Sequence, residues 1–219
     1  AQGFGLDIAK KFLSFSSSRV IIWDIDENEL KKASKEINNP NLSYNIVDVS
    51  NFNIKGLAYC IGSIDLKPLK RISESDLNQC MKLNLYSAIE AIKGFQDDLK
   101  KNNGSIVLFS SVAAQKGFTN HTIISSAKAA IEGLTVTLAA ELAPSIRVNC
   151  IAPSLTDAKI SQSMLKSQVV AEALAKAHPL KRLGEGNDSA SLAKFLLSDE
   201  SSWITGQIIG VDGGRSKLA

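Results

Sequence analysis

Cysteine is scarce: Cys60, Cys80 and Cys150 are the only three in 219 residues, an odd number, far apart and without a CxxC pair. This excludes a disulfide framework and a structural zinc site, and marks the three as reduced core residues. Histidine is scarcer, at two residues, so no His-rich ligand spacing exists and no metal is expected. No apolar stretch approaches the roughly 20 residues of a membrane helix, and no basic start leads into an apolar signal core. The cytoplasm is therefore the expected compartment. An excess of one charge is missing too, since 25 basic residues stand against 22 acidic ones without a dense basic run. Such a chain suits neither nucleic acid nor a membrane surface, and small molecules are the favoured partners.

What is present is a composition 44% hydrophobic, enough for one substantial core, so a single domain spanning 1–219 is expected. Short β-branched and apolar runs recur at Val20–Trp23, Tyr44–Val47, Leu57–Ile61, Ser105–Phe109, Arg147–Ile151 and Gln207–Val211. Strands this apolar are covered on both faces. Segments 5–15, 27–37, 74–101 and 121–142 carry helical spacing, and Ser73 with Asp76 makes a capping start for the third. The alternation predicts an α/β fold, a parallel sheet with helices on both faces and right-handed connections. Two places fit a complete fold of this kind poorly. Ala1-Gln2-Gly3-Phe4-Gly5 reads as the middle of a glycine-rich turn without its strand. Only seven residues separate Val49 from Leu57, too few for a parallel crossover of about a dozen. The expectation is a sheet lacking its first strand and one crossover helix; the alternative is a truncated variant with an altered sheet.

The glycine turn has chemical meaning. Gly3 and Gly5 open a helix, and Asp24 follows Gly5 by nineteen residues, directly after the strand Val20–Trp23. Glycines admit a pyrophosphate to the backbone, the helix N-terminus presents unpaired N–H donors, and an acidic residue after the next strand accepts from ribose hydroxyls. The same carboxylate repels a 2′-phosphate, which favours NAD over NADP. The plainer alternative is an ordinary Gly-x-Gly turn, with Asp24 capping the helix near Glu27.

Further segments, in order along nearly the whole chain, resemble the short-chain dehydrogenase/reductase family. Gln2-Gly3-Phe4-Gly5 is similar to the end of its TGxxxGxG turn, Asp48-Val49 to its adenine-contacting pair and Tyr59-Cys60-Ile61-Gly62 to its NNAG segment. Asn84-Leu85 resembles the helix asparagine, Ser110-Ser111 the strand-end serine and Lys128 the lysine of YxxxK. Pro153-Ser154-Leu155-Thr156 resembles the PGxxxT loop, and Trp203–Gly214 the C-terminal strand. The flavour is that of bacterial 3-oxoacyl-acyl-carrier-protein reductases. The resemblance implies a doubly wound Rossmann sheet, a homodimer or homotetramer and a nicotinamide cofactor. It implies cofactor contacts from Gly3, Phe4, Gly5, Asp24, Ile25, Asp48, Val49, Ile61, Gly62, Lys128, Pro153, Ser154, Leu155 and Thr156.

In that family a tyrosine gives or takes the substrate proton during hydride transfer, and a lysine four residues later lowers its pKa and holds the nicotinamide ribose. Residues i and i+4 share a helix face, which puts hydroxyl and ammonium side by side. Here the residue four before Lys128 is Ile124, which cannot move a proton, although Ser111 stands the family's thirteen residues ahead of it. Tyr59 and Cys60 also replace the NNAG asparagines, and Ser154 the PG glycine. The resemblance leaves Ser111, Lys128 and Asn84 as the catalytic set: Ser111 orients substrate, Lys128 binds ribose and assists proton transfer through water, and Asn84 holds that water. His121 is either a substitute proton donor or a capping residue, and His178 reads as a loop residue. Tyr59, by resemblance at the adenosine end, and Tyr86 do not reach the carbonyl. The segment 156–178, with Ile160, Met164, Leu165, Val169 and Val170 at helical spacing, is a packed amphipathic helix or a substrate-gripping flap. Three functions follow. The first is an NAD-dependent oxidoreductase of a hydroxyl/carbonyl pair. The second is a catalytically weak NAD-binding sensor or oligomer subunit, motivated by Ile124. The third, a hydrolase through Ser111 and His121, lacks a nucleophile elbow and an acidic partner.

Overall fold

A computed structural model describes residues 3–14, 19–23, 27–45, 53–165 and 167–218. Helix α1 (Phe4–Leu13) leads to β1 (Val20–Trp23), α2 (Glu27–Ile37) and β2 (Leu42–Asn45). Then follow β3 (Gly56–Tyr59), α3 (Glu74–Met81), α4 (Ser87–Lys101), β4 (Ser105–Phe109) and α5 (Thr122–Leu142). The chain closes with β5 (Arg147–Pro153), α6 (Gln168–Lys176), α7 (Gly186–Leu197) and β6 (Ile208–Val211). All the strand pairs formed are parallel.

Strand β4 shows how the core is divided. All of its residues are buried. Ile106 and Leu108 pack with Ile92, Phe95 and Leu99 of α4 and Ile131 of α5. Val107 and Phe109 face the other way, toward Ile8 of α1 and Ala190, Ala193 and Leu196 of α7. A period of two thus serves two helix layers, and each fully buried aliphatic side chain contributes about 1.5–3 kcal/mol. Helices α1 and α7 approach so closely that a Cβ on Gly186 would lie 1.7 Å from Asp7 Oδ2.

The α/β architecture agrees with the sequence, and the structure refines three points. First, the described strands form two parallel sheets, β1-β2 and β3-β4-β5-β6. In the doubly wound order 3-2-1-4-5-6, β1, β2 and β3 match the second, third and fourth strands, so the division falls at the place of the strand expected ahead of Gly3. The short link from β2 to β3 joins different sheets and need not act as a parallel crossover; residues 46–52 within it lie outside the described residues. Second, the helical run predicted over 74–101 carries a π-helical turn, Lys82–Tyr86, between α3 and α4. The expected capping box at Ser73 and Asp76 is formed in both directions. Third, the membrane-length criterion needs correction: α5, with 21 residues, is by length and composition long and apolar enough to cross a membrane. Its stripe Ile123, Ala127, Ile131, Thr135 and Ala139 is buried, and Ile131 and Ala139 pack in the core with β4 and β5, so this apolarity serves packing.

Candidate active site

The ends of β3, β4 and β5 lie in a row, where open α/β sheets hold their ligands. Three residues singled out from the sequence meet there. Lys128 of α5 is 9% exposed, and its Nζ donates to Phe109 O at the end of β4 at 2.9 Å. Gly62, beyond β3, lies against it: a Cβ at Gly62 would stand 2.7 Å from Asn84 Oδ1 and 3.3 Å from Lys128 Nζ. Asn84 sits in the π-helical turn, and its Nδ2 donates to Cys80 O at 3.0 Å. Its Oδ1 is buried without a partner. Burial also holds the Lys128 ammonium below the ordinary lysine range. An ammonium has three donors; among the described residues Lys128 Nζ makes one hydrogen bond, to Phe109 O, and none reaches Asn84 Oδ1. Such unmet buried groups call for a bound hydroxyl or water.

Ser111, half-buried, caps the turn 112–114 by accepting from Ala113 N at 3.2 Å. Its neighbour Ser110 donates to Glu132 Oε1 at 2.8 Å, and Gln115 Nε2 donates to both Glu132 oxygens at 3.1 and 3.0 Å. Sequence reasoning missed this Glu132 network, which joins side chains 17 and 22 residues apart and leaves no local spacing signal.

Ile124 is 4% exposed and clusters with Cys80, Ile123 and Ala127, flanked by Leu66, Ile72 and Met81. The buried face of α5 one turn before Lys128 is therefore apolar, and position 124 offers no hydroxyl there. His121 Nδ1–H donates to Thr119 O at 2.8 Å, and its ring lies 5.3 Å from that of Phe118. These contacts tie His121 to the loop before α5, and among the described residues no hydrogen bond joins it to Ser111. The hydrolase pair is thus not assembled. Tyr59 is a core residue whose hydroxyl donates to Leu83 O at 3.0 Å, and burial pushes its pKa up. Tyr86 is exposed. Burial raises the thiols of Cys60 and Cys150 to about 12, as expected of inert core cysteines.

On the cofactor side, Gly3 has φ 58° and ψ −138°, a conformation that glycine alone adopts readily, and its carbonyl accepts from Leu6 N and Asp7 N to start α1. A Cβ on Gly5 would meet Cys60 at 3.6 Å, an ordinary contact, so protein packing does not demand a glycine there. The Phe4 ring stacks on Phe109 at 5.1 Å inside the core, which leaves only its backbone to face a ligand. Ile61 is exposed, and Pro153 pairs with Val211 at the end of β5. The Thr156 hydroxyl donates to Ser154 O at 3.1 Å, and Thr156 bridges to Gly184. His178, expected as a plain loop residue, is instead 3% exposed and meets Ser154 Oγ through Nε2 at 2.8 Å, while Leu155 borders the adjoining cavity. Asp24, Ile25, Asp48 and Val49 lie outside the described residues.

A family described as enoyl-(acyl carrier protein) reductase matches residues 1–216. The chain is 32% identical to the 3-oxoacyl-[acyl-carrier-protein] reductase FabG of Chlamydia muridarum, over 99% of this chain and 94% of that one. That alignment runs over 239 positions against 219 residues here, so the relative carries internal residues without a counterpart in this chain. An uncharacterized short-chain type dehydrogenase/reductase of Sinorhizobium fredii is 31% identical over 97% of this chain and 92% of its own. Among solved structures, a short-chain type dehydrogenase/reductase from Mycobacterium ulcerans superposes with a TM-score of 0.89 at 27% identity, covering 98% of this chain and 86% of that one. ElxO with NADP bound gives 0.88 at 25%, covering 98% and 94%. With a family match over almost the whole length, relatives aligned nearly end to end and one shared fold, the chain belongs to the short-chain dehydrogenase/reductase family of oxidoreductases.

Proposed function

We propose that this protein interconverts a small hydroxyl/carbonyl pair with a nicotinamide dinucleotide, NAD(H) in preference to NADP(H). The observation that carries the reading is the buried Lys128 ammonium beside the unpartnered Asn84 Oδ1 at Gly62. The nicotinamide supplies hydride chemistry when bound. Lys128 would hold its ribose, the backbone of Gly3, Phe4 and Gly5 the pyrophosphate, Asp24 and Ile25 the adenosine ribose, and Asp48 and Val49 the adenine. Ile61, Gly62, Pro153, Ser154, Leu155 and the Thr156 backbone would line the rest of its length. Ser111 orients the substrate oxygen, and a water held between Asn84 and Lys128 relays the proton. The name of the FabG relative specifies a 3-oxoacyl carrier substrate for that protein; for this chain the assignment stops at the carbonyl class. The free thiols fit a reducing compartment such as the cytoplasm, and the family's homodimer or homotetramer is the proposed assembly.

The cofactor preference rests on Asp24, where a 2′-phosphate would meet a like charge; ElxO has been solved with NADP, so likeness alone does not carry it. The test is titration of NADH and NADPH into the wild type and Asp24→Ala, beside turnover of a ketone panel. Tighter NADH binding, with a narrowed preference in the variant, is expected; tighter NADPH binding by the wild type overturns the assignment. A second reading, a catalytically weak NAD-binding sensor or subunit, is favoured by Ile124, because loss of general acid help costs about 10²–10⁴ in rate. NADH binding without turnover of any ketone would establish it.

A further inference from the structure

Residues 155–165 and 167–177 leave the sheet after Ser154 and return to it at His178. The middle of this flap is weakly held: α6 has no buried residue, and Val169 is 77% exposed. Its ends are tied down separately. At the start, Ser161 Oγ donates to Ala158 O at 2.8 Å and Thr156 bridges to Gly184. At the finish, Leu180 N donates to Gly213 O at 3.1 Å, and Arg215 Nη1 donates to Ala177 O.

Among the described residues one side-chain hydrogen bond joins the two ends, Ser154 Oγ with His178 Nε2 at 2.8 Å. Its direction follows from the other ring nitrogen. Nδ1 lies 2.8 Å from Leu174 O, and a carbonyl can only accept, so Nδ1 carries a hydrogen; in the tautomer with its one hydrogen there, Nε2 accepts from the Ser154 hydroxyl. The imidazole therefore couples α6, through Leu174, to the end of β5, through Ser154. It is 3% exposed, and Gly213, at φ 58°, packs so near that a Cβ there would lie 3.6 Å from His178 Cβ. A glycine at position 154, as in the PG motif, has no hydroxyl to complete the link. Both residues border a cavity of about 430 Å³ that none of Asn84, Ser111 and Lys128 lines.

We propose that Ser154 and His178 are a clasp that positions the flap, and with it the exposed apolar face of α6, over the nicotinamide end of the site. Its catalytic consequence rests on the dehydrogenase reading; the clasp itself does not. Opening it frees α6 while β4 and β5 stay intact, so the flap closes less often and bound dinucleotide escapes faster.

The experiment is hydrogen exchange of amides 168–177 in the full chain for the wild type, Ser154→Ala and Ser154→Thr, with β4 and β5 amides as the control for folding. Ser154→Ala should speed exchange in α6 about fivefold, the factor that one lost neutral hydrogen bond implies. Ser154→Thr, which keeps the hydroxyl, should restore the wild-type rate. Nitrogen-15 NMR of His178 should show hydrogen on Nδ1 in the wild type. With NADH, Ser154→Ala should raise the dissociation rate and the substrate KM, and Ser154→Thr should restore both. Unchanged α6 exchange in Ser154→Ala, or hydrogen on Nε2 instead of Nδ1, overturns the clasp. If β4 and β5 exchange also accelerates in Ser154→Ala, the variant is unfolded as a whole and the NMR tautomer decides. Faster α6 exchange in a protein that binds no dinucleotide would instead sink the dehydrogenase reading and leave the clasp standing. Faster α6 exchange with an unaltered NADH dissociation rate would overturn the positioning role.

Discussion

Ile124 fills the helical turn before Lys128 and is 4% exposed, so a tyrosine there would bring a phenol beside an ammonium in a dry environment. The ammonium lowers the phenol's pKa from its ordinary value near 10. Ile124→Tyr is therefore expected to raise kcat for carbonyl reduction roughly 10²-fold or more, with NADH affinity unchanged because the proton step alone is altered. The larger ring enters a packed cluster, and urea unfolding should show about 1–3 kcal/mol of lost stability. A fall in activity would mean that isoleucine shapes a different working site. Lys128 invites the opposite trade. Burial lowers its folded pKa, so the unfolded chain binds the proton more tightly. Stability must then rise with pH between the folded value and 10.5. Lys128→Met should unfold at higher urea near pH 7, lose that rise, and bind NADH roughly 10–100-fold more weakly, as the loss of a hydrogen bond to a charged group implies. Lower stability near pH 7 would refute the sign. The spacing of the family motifs identified Lys128, Asn84 and Ser111. It could not show that the Thr156 hydroxyl is turned onto Ser154 O, and counting PGxxxT from Pro153 puts the motif threonine at Ala158.

Helix α3 was legible at its start because a capping box is written in four consecutive residues. Ser73 accepts from Asp76 N at 3.2 Å, and Asp76 accepts in return from Ser73 N at 3.0 Å. Ser73→Ala should cost about 1 kcal/mol in urea unfolding; no change in midpoint would count against the cap. The Lys67 ammonium and the Ser73 donors hold the Asp76 carboxyl at about 2. A depressed carboxyl contributes stability above its unfolded value of 3.8 and loses it as the pH falls toward 2, so the Ser73→Ala penalty should shrink in that window. The π-helical turn at Lys82–Tyr86 was not legible. An apolar stripe read at 3.6 residues per turn does not register one extra residue in a turn, yet Asn84 sits in that turn.

Across the molecule, the two sheets should differ in how readily they open. The β1-β2 pair rests on a small cluster of Ala9, Ile22, Leu30 and Ala33, whereas β4 is buried along its whole length, and two-stranded sheets are marginal in water. Amides of β1 and β2 are expected to exchange faster than those of β4 and β5, and to slow when NADH binds, since the proposed ligand spans both sheets. Equal protection without ligand would contradict this. The alternation of strand and helix, the two-faced apolar strands, the glycine turn and the ordered motifs were settled by sequence alone, because each expresses propensity, periodicity or spacing within a short window. The meeting of Gly62, Asn84 and Lys128, the Glu132 network, the buried His178 and the division into two sheets were decided only by tertiary structure. Those contacts join residues far apart in the chain, and strand order and loop path, which no local window encodes, determine which of them meet.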